Sequence, residues 1–240
     1  MKTPLSDGYG WLELDEVAST QIVARQALQS GSKVGIVLAH NQTAGVGRFG
    51  RPWISTADDS LTMSLIFRAY PDHPKAYLIG MAVAVAAAGT CYAQLQWPND
   101  VVIQGRKVGG ILSEVVPGPG GERVTIVGIG INLNQAEFPP EIADRAISLH
   151  QAHTGTYDPM TVAEGLIERL EELPEPDDWS ALSPIWSAFD RTPGKRYKLA
   201  SGQEAVAVAI GSSAQLLCSV AGESQTVMAA DAIFGDSVPH

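Results

Sequence analysis

Cysteine is nearly absent from this chain: Cys91 and Cys218 are the only two among 240 residues, and they lie far apart. No apolar signal core follows the starting Met-Lys-Thr-Pro-Leu-Ser-Asp, and with so few thiols a cytoplasmic enzyme is the simplest fit. Positive charge is also scarce. Sixteen Lys and Arg stand against 26 Asp and Glu, and the net charge of -10 argues against a broad nucleic-acid footprint or an anionic membrane surface. Long apolar runs are missing too: the longest uncharged stretch, residues 76–99, is mostly Ala and Gly with Thr90, Gln94 and Gln96, so it predicts a buried helix and then a strand, not a membrane span. His150 and His153 are read as surface residues of a polar loop, not metal ligands, since neither Cys nor a His-Glu-x-x-His pattern accompanies them. Any anion site must be locally basic.

What the chain does hold is a segment dense in glycine and guanidinium. Residues 42–53 read Gln-Thr-Ala-Gly-Val-Gly-Arg-Phe-Gly-Arg-Pro-Trp. Gly45, Gly47 and Gly50 let the backbone approach a ligand closely, while Arg48 and Arg51 put charge beside exposed amides. With Trp53 as an aromatic face, such a loop suits a phosphate and a flat ring at once. Gly45-x-Gly47-x-x-Gly50 also matches a dinucleotide fingerprint, but that motif must open into a helix. Arg51-Pro52-Trp53 and a polar run to Ser60 follow instead, so the dinucleotide reading is rejected. Taken alone, a Gly-rich surface loop with incidental arginines explains the stretch equally well.

The chain is long enough for one large domain, or one with a small appendage. Residues 11–15 predict a short strand, and Ser19 an N-cap for a helix to Ser30 with Ile22, Val23 and Ala27 inward. Residues 34–40 predict a buried strand leading into the glycine loop. Leu61, Met63, Leu65 and Phe67 alternate with mostly polar partners in another strand, and Pro74 is expected to open the Ala-rich helix. Residues 97–112 predict a hairpin turning at Gln104-Gly105, with Asp100 facing Gly109 and Asn99 facing Gly110. Lys107 follows the turn; taken alone, it is most simply a solvated edge lysine. Residues 124–134 read as a buried strand with room beside its glycines. Thr161 and Glu164 predict a capping box for a helix to Leu173, with Val162, Leu166, Ile167 and Leu170 inward. An acidic link and a helix over 179–189 precede short strands at 197–199, 205–210, 214–220 and 226–228, the pattern of a small antiparallel barrel. The expected fold is α+β: a mixed, mostly antiparallel central sheet with helices on one side in residues 1–190, then the barrel in residues 191–240.

Four segments together resemble the biotin protein ligases: Leu14-Asp15-Glu16-Val17-Ala18-Ser19-Thr20, the glycine-arginine loop ending at Trp53, Trp97-Pro98-Asn99-Asp100 with Lys107, and Gly128-Ile129-Gly130-Ile131-Asn132. The likeness is strong over residues 11–135 and looser in the barrel. It implies a catalytic domain like that of class II aminoacyl-tRNA synthetases, an SH3-like barrel, and a two-step reaction. Biotin is activated by Mg2+-ATP to biotinyl-5′-adenylate, then passed to a lysine of the biotin carboxyl carrier protein of acetyl-CoA carboxylase. By motif position, Ser19, Thr20, Gln21 and Gln42 look like the ureido-binding set. Gly45, Val46, Gly47, Arg48 and Gly110 look like the lining for biotin and adenylate. Lys107, Arg48 and Asp100 look catalytic, with Lys107 also in the biotin-binding set because it looks like the residue that touches both the carboxylate and the α-phosphate, and Asp100 orienting the acceptor lysine or the metal; Arg51, Trp53, Asn99 and Asn132, with Arg48 and Lys107, look like the nucleotide set, Trp53 being the adenine platform. No protein-held metal is implied.

Two residues depart from the pattern: Val46 stands where many relatives carry Arg, and Gln96 where Lys is frequent, so two cations are lost. About ten residues precede the first matched strand, too few for a folded DNA-binding module, so no operator binding is expected, and homodimerisation is left open. A lipoate-type ligase and a non-catalytic biotin-binding sensor are the alternative readings.

Overall fold

The computed structural model describes residues 1–55, 58–199 and 201–228, with the backbone of 232–233. Strands β1 (Gly10–Val17), β2 (Val34–Gln42), β3 (Ser60–Phe67), β4 (Gln94–Gln96), β5 (Asp100–Ile103), β6 (Arg106–Pro117) and β7 (Arg123–Asn132) form one sheet in the order β1-β2-β3-β7-β6-β5-β4. Only the β1–β2 pairing is parallel, in line with the mixed, mostly antiparallel sheet expected.

Helices α2 (Tyr77–Thr90), α4 (Pro159–Glu172) and α5 (Trp179–Phe189) supply the expected helical layer. They share one apolar cluster with Ile36, Leu38, Leu61, Met63, Leu65 and Phe67. Helix α1 (Thr20–Gln29) lies across the opposite face, its Ala24, Ala27 and Leu28 packed on Val37, Ile66 and Ile126. Period 2 along β3 separates the two faces. Because both are covered, Ser60, Thr62 and Ser64 are buried as fully as the leucines beside them.

Several local expectations are corrected. Ile22 is 47% exposed: it lies off the 3.6-residue stripe that carries Ala24, Ala27 and Leu28 inward. Ser19 does sit at the N-cap, but its side chain makes no capping hydrogen bond. Pro74 lies in a turn before α2, where Leu78 N–H donates to Lys75 O and Ile79 N–H to Ala76 O. His150 and His153 lie on a short helix, α3 (Leu149–His153), which Ser148 and Gln151 start with a reciprocal capping box. The cap of α4 is Asp158, whose Oδ2 accepts from both the N–H and the hydroxyl of Thr161 at 2.8 Å, because Pro159 opens the helix earlier than a Thr161–Glu164 box allows.

Strands β8 (Arg196–Leu199), β9 (Glu204–Ile210), β10 (Leu216–Val220), β11 (Glu223–Val227) and β12 (Ala232–Ile233) make a second, antiparallel sheet in the order β11-β10-β9-β8-β12, consistent with a small barrel-like unit. The rest of residues 229–240 lies outside the described residues. This unit meets the larger sheet at Trp97, whose indole N–H donates to Ala214 O at 2.9 Å and whose carbonyl accepts from Tyr197 Oη at 3.0 Å. The two rings stand edge to face with centroids 6.2 Å apart. Trp97 leads into β5 and holds that end of the sheet in place.

Candidate active site

On its α1 face the sheet has a floor of very small side chains. Gly128 and Gly130 of β7 lie opposite Ser64 and Thr62 of β3, and Gly110 of β6 lies opposite Gly130. A Cβ on Gly130 would stand 2.4 Å from Cε2 of Trp53, and one on Gly128 would stand 3.1 Å from Cδ of Gln21. The glycines therefore admit an indole and an amide directly onto the backbone. Indole Nε1 of Trp53 is buried there with no hydrogen-bond partner among the described residues.

One end of this floor is neutral. The Thr20 N–H, at the start of α1, donates to Gln42 Oε1 at 2.8 Å, and the Thr20 hydroxyl donates to the same oxygen at 3.1 Å. Ser64 Oγ donates to Thr20 Oγ1 at 2.9 Å. Two donors at a helix N-terminus thus converge on one carbonyl oxygen, an arrangement that a ligand carbonyl can take over. Ser19, Thr20 and Gln21 are all buried.

The glycine loop folds back on itself above the floor. Trp53 N–H donates to Gly45 O at 2.8 Å, Gly47 N–H donates to Arg51 O at 2.7 Å, and Val46 bridges Pro52. A 3-10 turn, not an α-helix, occupies Arg48–Gly50, in keeping with the rejected dinucleotide motif. At its tip Phe49 and Gly50 take positive φ angles of 58° and 71°. Val46 and Phe49 are exposed.

The other end is ionic. Lys107 Nζ lies 2.5 Å from Asp100 Oδ1 and close over Gly110, 3.2 Å from where its Cβ would be. The hairpin that brings them together has a register other than expected: Asp100 pairs with Gly110 and Val101 with Gly109, because the ladder shifts between Val101 and Val102. A bulge there adds one residue to β6, which the two-residue turn at Gln104-Gly105 gives no sign of. Asn99 donates through Nδ2 to Ile111 O at 2.7 Å and accepts at Oδ1 from Arg48 Nη1 at 3.4 Å. Burial lowers the Arg48 pKa, Asp100 opposes that shift and Arg51 adds to it, so the three charges act on one another; Arg48 remains a cation at neutral pH.

The loop and the hairpin, far apart in sequence, therefore bring Arg48, Asn99, Asp100 and Lys107 together. Asn132 sits on the floor strand, where its Nδ2 donates to Ile147 O at 3.2 Å. Ser64 was overlooked from sequence, although its signal, small polar residues at 60, 62 and 64 in a strand, was readable. Among the described residues no cluster of three His, Cys, Asp or Glu could hold a metal, and no helix is long and apolar enough to cross a membrane.

The Biotin/lipoate A/B protein ligase family pattern matches residues 15–134, half of the 240. The biotin--[acetyl-CoA-carboxylase] ligase of Mycobacterium tuberculosis is 33% identical over 251 residues, covering 94% of this chain and 90% of that protein. The bifunctional ligase/repressor BirA of Bacillus subtilis is 40% identical over 149 residues, covering 58% of this chain and 45% of its own length, so the chain spans less than half of that relative. Among solved structures, the biotin protein ligase of Aquifex aeolicus in complex with biotin and ATP superposes with a TM-score of 0.73 at 25% identity, over 95% of this chain and 99% of that one.

Proposed function

The chain belongs to the biotin/lipoate A/B protein ligase family, and from that premise we propose that it is an ATP-dependent, AMP-forming biotin ligase. It activates biotin to biotinyl-5′-AMP and transfers it to a lysine of the biotin carboxyl carrier protein of acetyl-CoA carboxylase. The observation that carries this reading is the meeting of Arg48, Asp100 and Lys107 beside a neutral pocket on one glycine floor.

In the first step a carboxylate oxygen attacks the α-phosphorus and the bond to pyrophosphate breaks. Two like charges about 4 Å apart repel by roughly 4 kcal/mol at an effective dielectric near 20, so the step needs cations on both reactants. Lys107 leans over Gly110, within reach of a carboxylate and an α-phosphate above the floor, and Arg48 approaches from the loop with Arg51 behind it. Asp100 holds the ammonium until the anions arrive. In the second step the acceptor lysine's amine attacks the acyl carbon and AMP leaves, with Asp100 orienting that amine. Thr20, Gln42, Ser19 and Gln21 form the pocket for the ureido ring, Trp53 stacks on the nucleotide, and Asn99 and Asn132 line its side.

Mg2+ enters with the phosphates of ATP as part of that substrate; among the described residues no group of three His, Cys, Asp or Glu fits a resident ion. The proposed setting is the cytoplasm, in keeping with two buried free cysteines. The net charge of -10 speaks against DNA as a partner. Incubation with biotin, Mg2+-ATP and an apo carrier domain tests the proposal: biotin should appear on the carrier lysine, and no transfer under any condition rejects it. Competition by lipoate separates the lipoate-type reading, and biotin-dependent exchange of pyrophosphate into ATP separates a ligase from a sensor.

A further inference from the structure

We propose that Glu114 is a positioning residue for ligand recognition, fixing the Gln21 amide so that its oxygen is offered to an N–H donor on the bound acid. The proposal deepens the biotin-binding reading and rests on it. Gln21 Nε2 faces two acceptors, Glu114 Oε2 at 2.9 Å and Leu112 O at 3.4 Å. A carboxylate only accepts, so a rotated amide would set oxygen against oxygen twice over. Arg25 Nη2, 2.6 Å from Glu114 Oε1, holds that carboxylate turned toward α1.

The fixed amide leaves Oε1 buried without a partner among the described residues, in a side chain that is itself buried, with Gln21 only 8% exposed. An orphaned buried acceptor is costly unless a ligand donor completes it. Its amide rests on Gly128, cross-strand from Ser64, which is bonded to Thr20. The neutral end then offers an acceptor on Gln21, donors on Thr20 and an acceptor on Gln42. A carbonyl flanked by two N–H groups, as in a cyclic urea, matches that order. An acid whose head lacks N–H, such as a dithiolane, leaves Oε1 unpaired, so the same relay selects against it.

The test is adenylate formation by the full chain across biotin concentrations, for wild type, Arg25→Met, Glu114→Gln, Glu114→Met, Gln21→Met and the Gln21→Met/Glu114→Met double variant. Glu114→Met should raise the KM for biotin about ten-fold with kcat and the KM for ATP unchanged, the pattern of lost ground-state binding. Glu114→Gln, which can still accept from Nε2, should raise it a few-fold, and Arg25→Met, which leaves the carboxylate, less than about two-fold. The double variant should be no worse than Gln21→Met alone, because one residue acts through the other. A biotin KM within two-fold of wild type in Glu114→Met, a loss confined to kcat, or additive effects in the double variant would overturn the proposal. A wild-type chain that fails to bind biotin would remove the functional reading itself, and is distinguished by being seen before any substitution is made.

Discussion

The two ends of the glycine floor are built from different chemistry. Around Thr20, Gln42 and Ser64 the contacts are neutral hydrogen bonds between 2.8 and 3.1 Å. Around Asp100 the partners are cations, and the Lys107 and Asp100 side chains stay 41% and 21% exposed. Buried neutral donors and acceptors have one geometry that satisfies them, so they discriminate between ligands. Half-exposed charges are less particular about shape, and they act where charge is brought together during reaction. Recognition and chemistry are thereby separated along one glycine floor, and substitutions at either end should move different kinetic quantities.

The largest effect is expected at the ionic end. Lys107→Ala should slow biotin transfer by about 10² to 10³, in the range for losing one charge-stabilising donor, and by far more than it weakens biotin affinity measured by calorimetry. Retained turnover would place the chemistry elsewhere. At the neutral end, Thr20→Val removes the hydroxyl that donates to Gln42 and should raise the biotin KM about ten-fold with kcat unchanged; steady-state assays would reveal a kcat effect if the division of labour were wrong. Between the ends, Gly130→Ala sets a Cβ 2.4 Å from the Trp53 ring. Overpacking of that kind should cost about 1–3 kcal/mol in urea unfolding, and an unchanged midpoint would mean that the indole is not seated on β7.

The smallest effect concerns the root of the loop. His40 stands 2.9 Å from Glu13 and 2.8 Å from Asp58. Its pKa is raised, chiefly by the hydrogen bond to Glu13 and also by Asp58, against desolvation. A raised histidine stabilises the fold fully below its unfolded pKa of about 6.5 and ceases to do so as pH rises through the folded value. Relative to His40→Gln, the wild type should gain under about 1 kcal/mol in mild acid and nothing at alkaline pH. A gain that grew with pH would contradict the pairing.

Much of this was legible in the chain because it depended on local pattern. Alternation marked β3, the Ala-rich run marked α2, and glycine with arginine marked the loop that brings Arg48 to Asn99. What escaped depended on tertiary pairing. The bulge that moves Gly110 opposite Asp100 leaves no trace in residue types on either side of the turn. The outward turn of Ile22 follows from which face of α1 meets β2, β3 and β7, and apolar content alone does not fix that face. Ser64 looked like the polar half of a one-sided strand, yet α1 buries it and makes it part of the pocket. The path from Gln21 through Glu114 to Arg25 joins α1 to β6 across 93 residues, beyond the reach of any spacing rule.

The division of the glycine floor is tested most directly by single-turnover formation of biotinyl-5′-AMP as a function of biotin concentration, for wild type, Lys107→Ala and Gln42→Ala side by side. The expected result is a lowered plateau with the smaller shift in half-saturation for Lys107→Ala, and a right-shifted half-saturation point with an unchanged plateau for Gln42→Ala. Both variants moving chiefly the same parameter, or a wild type forming no adenylate, would contradict it.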